Sequence, residues 1–162
     1  MPENEKRLQF LVKLLSMTNT SKHELARIMG VSAQNIFTYF QRDDMKLSYA
    51  QEIASRLGYT LTFSLEGDKK KAADILQGLD EILRDGQLGR LAFLQVALKL
   101  NGIERKDLAQ KLELFYTGVN RWFKVDDIAI SYLFRIAEIY GLKLGISVKK
   151  TGKAKAEVTE LL

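Results

Sequence analysis

Cysteine is absent from the sequence, so disulfides, thiolate zinc sites and cysteine-held iron–sulfur clusters are excluded. The only proline is Pro2, outside any element, which favours a mostly helical chain with short turns. The single histidine, His23, falls in the first turn of an expected helix and reads as an exposed polar residue rather than a ligand. No run approaches the roughly 18 apolar residues of a membrane span, and the opening MPENEKR is polar, unlike a signal peptide. A cytoplasmic protein is expected. There is no nucleophile–base pair, no metal-ligand spacing and no glycine loop of the kind that cradles phosphate, so no enzyme and no cofactor is expected. What is present is a 46% hydrophobic fraction over 162 residues, enough for one large or two small folded cores. The formal charge of +5 suits a polyanionic partner, though many soluble proteins are as basic.

The stretch Ser21 to Phe40, SKHELARIMGVSAQNIFTYF, carries the densest local signals. Ser21 with Glu24 three residues on forms a capping box, and Leu25, Ala26, Ile28 and Met29 follow at helical spacing. Gly30 stops that helix, because glycine enters the left-handed region at little steric cost. Val31 plugs the turn. Ser32 caps a second helix whose buried side carries Ile36, Tyr39 and Phe40. Ala33, Gln34, Asn35 and Thr38 are left facing outward. An amide can both donate to and accept from an adenine edge in the DNA major groove.

The pattern E-L-A-x-x-x-G-V-S-x-x-x-I resembles the Cro/C1-type helix-turn-helix of phage repressors and related prokaryotic regulators. Ser48 opening a further helix, Ile53-Ala54 and Leu57-Gly58 extend the likeness over residues 8 to 58. The resemblance implies base contacts from Ala33, Gln34 and Thr38, with Asn35 and the cap Ser32 beside them, and a phosphate contact from Lys22. This sequence departs from the family in placing Ala33 where glutamine is common. Alanine can touch a thymine methyl but cannot hydrogen-bond a base.

Sliding the chain by 83 residues aligns its halves without a gap. Arg7-Leu8-x-Phe10-Leu11 matches Arg90-Leu91-x-Phe93-Leu94, and Leu25-Ala26 matches Leu108-Ala109. Phe40-x-x-Asp43-Asp44 matches Phe123-x-x-Asp126-Asp127, Ser48-Tyr49 matches Ser131-Tyr132, and Ile53-Ala54 matches Ile136-Ala137. The expected organisation is a first domain over 1–66, a linker helix over 67–89, a second and divergent domain over 90–150, and a flexible tail over 151–162. The fold class is mostly α: two tandem five-helix-like Cro/C1 domains, each ending in a short strand. The alternating segments 59–65 and 142–148 are those strands. Antiparallel pairing within one chain would satisfy both; exchange between chains would instead give a homodimer.

In the first copy a helix from about Asn4 to Met17 is expected, then a polar loop from Gln41 to Leu47 and a helix capped by Ser48. The second copy should carry helices from about Leu88 to Leu100, Arg105 to Leu112, Tyr116 to Phe123 and Tyr132 to Tyr140. It has Glu113 for the turn glycine, Phe115 for the cap serine, and Gly118 inside its presumed recognition helix. Its outward residues are Tyr116, Thr117, Asn120, Arg121 and Lys124, with Arg105 at the Lys22 position. Two readings stay open for it: a second DNA reader, or a copy that only supports a pseudo-dimer. From Arg90 to Lys150 eleven Lys/Arg stand against six Asp/Glu, whereas from Met1 to Glu66 the balance is eight against seven. The paired carboxylates Asp43-Asp44 and Asp126-Asp127 could do acid–base work. Capping the next turn or bonding loop amides explains their recurrence more cheaply. Tyr39 and Trp122 read as core.

The expected function is sequence-specific binding of double-stranded DNA, as in a transcriptional regulator. Helices 33–40 and 116–123 would enter successive major grooves about 34 Å apart and recognise an asymmetric site. The rival is a protein-interaction module, antitoxin-like or adaptor-like, that reuses the fold with little DNA affinity. No membrane partner is expected.

Overall fold

The computed structural model describes residues 6–67 and 89–151, and the backbone of 158–160. The expected linker helix therefore lies outside the described residues. Those residues are mostly helical, in the order α1 (Gln9–Met17), α2 (Lys22–Met29), α3 (Ala33–Arg42), α4 (Leu47–Arg56), β1 (Tyr59–Glu66), α5 (Ala92–Leu100), α6 (Arg105–Lys111), α7 (Tyr116–Val125), α8 (Ile130–Tyr140), β2 (Lys143–Lys150) and β3 (Val158–Glu160). Four helices precede each of β1 and β2 among the described residues, where five per domain were expected. The chain divides into two compact units. The first is Met1–Thr62, Ala129–Ser131 and Ile146–Leu162; the second is Phe63–Ile128 and Tyr132–Gly145.

In the first unit α1 buries Phe10, Leu11, Leu14 and Leu15, the apolar stripe of its sequence. Against this core lie Leu25 and Ala26 of α2, Ile36 and Phe40 of α3, and Leu47, Ala50, Ile53 and Ala54 of α4. The second unit repeats the pattern with Leu94, Ala97 and Leu98 of α5, Leu108 and Ala109 of α6, Val119 of α7, and Leu133 and Ile136 of α8.

The strand order is β1-β2-β3. In the first unit the Thr151 N–H donates to the Gly58 carbonyl at 2.9 Å. In the second, a Cβ on Gly145 would fall 2.6 Å from Ser64 Oγ. Positions rise along β1 as they fall along β2, so these strands run antiparallel, as expected. Alternation holds: Leu61, Phe63 and Leu65 are buried on β1, and Leu144, Ile146 and Val148 on β2. Residues 158–160, expected in a flexible segment, form β3 and pair antiparallel with β2, Ser147 opposite Glu160. Its alternation is too short to register as a strand in the sequence, and the pairing supplies what three residues alone cannot.

Two helix starts differ from expectation. Lys46, not Ser48, occupies the N-cap of α4 and offers no side-chain bond. Ser131 likewise lies inside α8, one residue past its start. Burial of Leu47 and Ile130, both 0% exposed, pulls each helix start back. The loop expected as polar over 41–47 also buries Met45. Its carbonyl accepts the Ile130 N–H at 2.9 Å, within the first unit.

The recurring aspartates hold these turns together. Asp43 ends α3 at φ 56, and its carboxylate accepts the N–H groups of Arg7 at 2.7 Å and Leu8 at 2.9 Å. Arg7 Nε returns a bond to the Asp43 carbonyl at 2.9 Å. Leu8 is the N-cap of α1, so the carboxylate satisfies donors that the start of that helix leaves open. Asp126 ends α7 at φ 58 and accepts from Arg90 and Leu91 at 2.6 and 2.9 Å. One interaction thus explains why Arg-Leu and Asp recur together, 36 residues apart in both copies. The second aspartate of each pair accepts from the next residue, Met45 or Ile128, at 2.9 Å. Asp44 also accepts from Ser131 N and Oγ at 2.9 and 2.7 Å, capping the start of α8 in place of the serine.

The turn between α2 and α3 takes the form its sequence implies. Gly30 sits at φ 72, and the Val31 N–H donates to the Ala26 carbonyl at 3.0 Å. The second unit builds the same turn without glycine: Glu113 sits at φ 57, and the Leu114 N–H donates to the Ala109 carbonyl at 2.8 Å. A side chain in this region costs about 1–2 kcal/mol. Nothing lies within 4 Å of a Cβ placed on Gly30, so the cost there is one of backbone conformation. Glu113→Gly is expected to stabilise the protein by about 1 kcal/mol, and Gly30→Glu to destabilise it by a similar amount. Urea unfolding of both variants checks this; equal midpoints would contradict it.

Candidate nucleic-acid interface

In the first unit, α2 and α3 are joined by residues 30–32 and begin with well-formed caps. Ser21 Oγ accepts the Glu24 N–H at 3.1 Å, and Glu24 Oε1 reaches back to the Ser21 N–H at 3.5 Å, which completes the capping box. Ser32 Oγ accepts the Asn35 N–H at 3.1 Å. Ile36 and Phe40 anchor α3 in the core, which turns Gln34 and Asn35 outward and exposed, with Ala33 and Thr38 half-buried beside them. Thr38 Oγ1 donates to the Gln34 carbonyl at 2.8 Å, and the Gln34 amide nitrogen lies 3.4 Å from Thr38 Oγ1. The Gln34 side chain is therefore steered along the helix surface before any ligand arrives.

Lys22 begins α2 half-buried, its Nζ 4.9 Å from the Phe40 ring and 6.0 Å from that of Phe37. Its ammonium is thus held by α3's aromatic side chains. His23 is exposed and meets Phe37 edge-on at 5.1 Å. Tyr39 packs on Tyr49 of α4 at 4.9 Å, and Trp122 on Tyr132 of α8 at 5.1 Å. Both are half-buried packing residues, less enclosed than the core positions the sequence suggests.

In the second unit the start of α7 differs. Phe115 keeps the extended N-cap backbone, φ −72 and ψ 144, but makes no side-chain bond. Tyr116, Thr117, Arg121 and Lys124 are exposed. Asn120 is not outward in the expected sense. It is half-buried, and its Oδ1 accepts from Arg105 at 3.0 Å. The Arg105 guanidinium also lies 4.0 Å from the Phe123 ring centre, repeating the Lys22–Phe40 contact with a stronger fork. α7 runs unbroken through Gly118, where a Cβ would meet nothing within 4 Å.

Two features of these faces escape sequence reasoning. Phe115 is 86% exposed, more than its role as a substituted cap suggests. Lys106 places Nζ 6.0 Å from the Tyr116 ring. Two consecutive basic residues at the start of α6, Arg105 and Lys106, are the signal in the sequence for a basic rim.

No protein-family model, curated protein or solved structure matches the chain. The chemistry of the site is therefore carried by its own residues. Burial pushes the hydroxyls of Tyr49 and Tyr140 above the usual phenol range, helped by Tyr39 and Asp107 respectively. Both sit on the fourth helix of their repeat, off α3 and α7. The paired aspartates are engaged with backbone amides, and among the described residues no trio of acidic or histidine side chains gathers to hold a metal ion. Among those residues too, no helix is long and apolar enough to cross a membrane.

Proposed function

We propose that the chain binds double-stranded DNA with sequence preference, as a transcriptional regulator built from two Cro/C1-like copies in one polypeptide. The observation that carries this is the start of α3: a serine-capped helix, rigidly anchored by Ile36 and Phe40, that presents an amide steered by Thr38. Such an N-terminal helix face is the kind that reads base edges in the major groove, where a glutamine amide suits adenine. Ser32, Ala33, Gln34, Asn35 and Thr38 form the base-facing set, and Lys22 sits at the phosphate-facing start of α2. On the second copy Tyr116, Thr117 and Arg121 face the bases, with Arg105 and Lys124 toward phosphate and Asn120 positioned by Arg105. Two unlike readers in one chain select an asymmetric site.

Charge supports the same partner. Lys124 is exposed. If it neutralises a phosphate, Lys124→Ala weakens binding to all duplexes evenly and lowers the slope of log affinity against log salt by about 1. Titrations at several salt concentrations check this. An unchanged slope would remove Lys124 from the interface. The rival, a protein-interaction module, draws its support from the exposed Phe115; negligible salt-dependent affinity for any duplex would favour it.

A further inference from the structure

We propose that Phe115 is a specificity-determining residue of the second copy, selecting a thymine through its 5-methyl group; this rests on the DNA-binding function proposed above. Among the described residues Phe115 is the most exposed large apolar side chain, at 86%, and its neighbour Tyr116 is 44% exposed. The corresponding position in the first copy is Ser32, whose hydroxyl caps α3. Phe115 holds the same backbone shape at the start of α7 yet neither caps the helix nor packs into the core. The fold gains nothing from a phenyl ring there. A ligand that is apolar at this spot would.

The surroundings narrow that ligand. Lys106 lies 6.0 Å from the Tyr116 ring, and Arg121 and Lys124 are exposed further along α7. An apolar tip flanked by cations matches a surface that is apolar at its floor and anionic at its walls. In the major groove the one apolar group on a base edge is the thymine methyl, and phosphates line both sides. Phenylalanine is among the side chains that make this contact. The first copy presents a hydroxyl and amides at the same place, so the two copies read by different chemistry.

The test uses the full chain and the duplex it selects from a random pool. Each thymine is replaced in turn by deoxyuridine, which keeps every hydrogen bond and lacks only the methyl. Wild type is expected to lose about fivefold or more at one thymine. Phe115→Ser should bind the thymine and deoxyuridine duplexes equally, and Phe115→Leu should keep part of the preference. Serine restores a helix cap, so loss of fold does not explain the result; unfolding curves of all three proteins verify it. Sequence-selective binding in which Phe115→Ser retains the wild-type preference would overturn this inference and leave the DNA-binding function standing. Absence of selective binding would overturn both. Loss of self-association in Phe115→Ser, with DNA selectivity unmoved, would overturn it in favour of a contact between chains.

Discussion

Asp43→Ala is expected to destabilise the first unit by about 2–4 kcal/mol, the largest stability effect of any surface-accessible substitution proposed for this protein. Three losses combine. The Arg7 and Leu8 N–H groups lose a charged acceptor at 2.7 and 2.9 Å. Bonds to charged groups contribute about 1.5–3 kcal/mol each, and two on one carboxylate are not additive. The start of α1 loses a negative charge near its N-terminus. Alanine is also a poor occupant of the left-handed conformation at φ 56. Asp43→Asn keeps one acceptor and tolerates that backbone, so it should lose about half as much. Asp126→Ala should behave like Asp43→Ala, because Arg90 and Leu91 repeat the geometry at 2.6 and 2.9 Å. Urea unfolding measures all three. A shift below about 0.5 kcal/mol for Asp43→Ala would mean that the bonds are replaced by water without cost.

Gln34→Ala is expected to abolish base preference at one or two positions of the selected site, a loss of about 1–3 kcal/mol of discrimination for a bidentate amide contact. Nonspecific binding should stay, because the phosphate contacts remain. The Gln34 amide gives up its 3.4 Å bond to Thr38 Oγ1, but the Thr38 hydroxyl still donates to the backbone carbonyl of residue 34, so α3 should keep its fold. Competition with single-base variants of the site measures the effect. A uniform loss across all sequences would instead make Gln34 a backbone contact.

The contrast between Asp43 and Gln34 indicates what the sequence could disclose. The Ser21–Glu24 capping box and the Gly30 turn are local, set by side chains within a few residues of one another, and the structure contains both. Strand alternation is local too, and Leu61, Phe63 and Leu65 face inward as their spacing implies. The recurrence of Asp43 and Asp126 is visible as a pattern, and a capping role was expected. Their partners are not visible, because the bonds to Arg7 and Arg90 span 36 residues. The start of α4 differs from the sequence expectation for a related reason: serine's local preference for the cap position competes with burial of Leu47, and burial wins.

On the candidate site, the exposure of Gln34, Asn35, Arg121 and Lys124 follows from helical periodicity alone. Asn120 does not follow, since its carbonyl oxygen is taken by Arg105 from another helix. The exposure of Phe115 does not follow either. An aromatic residue suggests burial, and only the extended backbone at the helix start directs its side chain to the surface.

The measurement that bears most directly on this account is selection of bound duplexes from a random DNA pool by the full chain. The account predicts one asymmetric site with two unlike half-sites, its affinity falling steeply with salt. A pool that emerges without enrichment, with only weak binding at low salt, would contradict it.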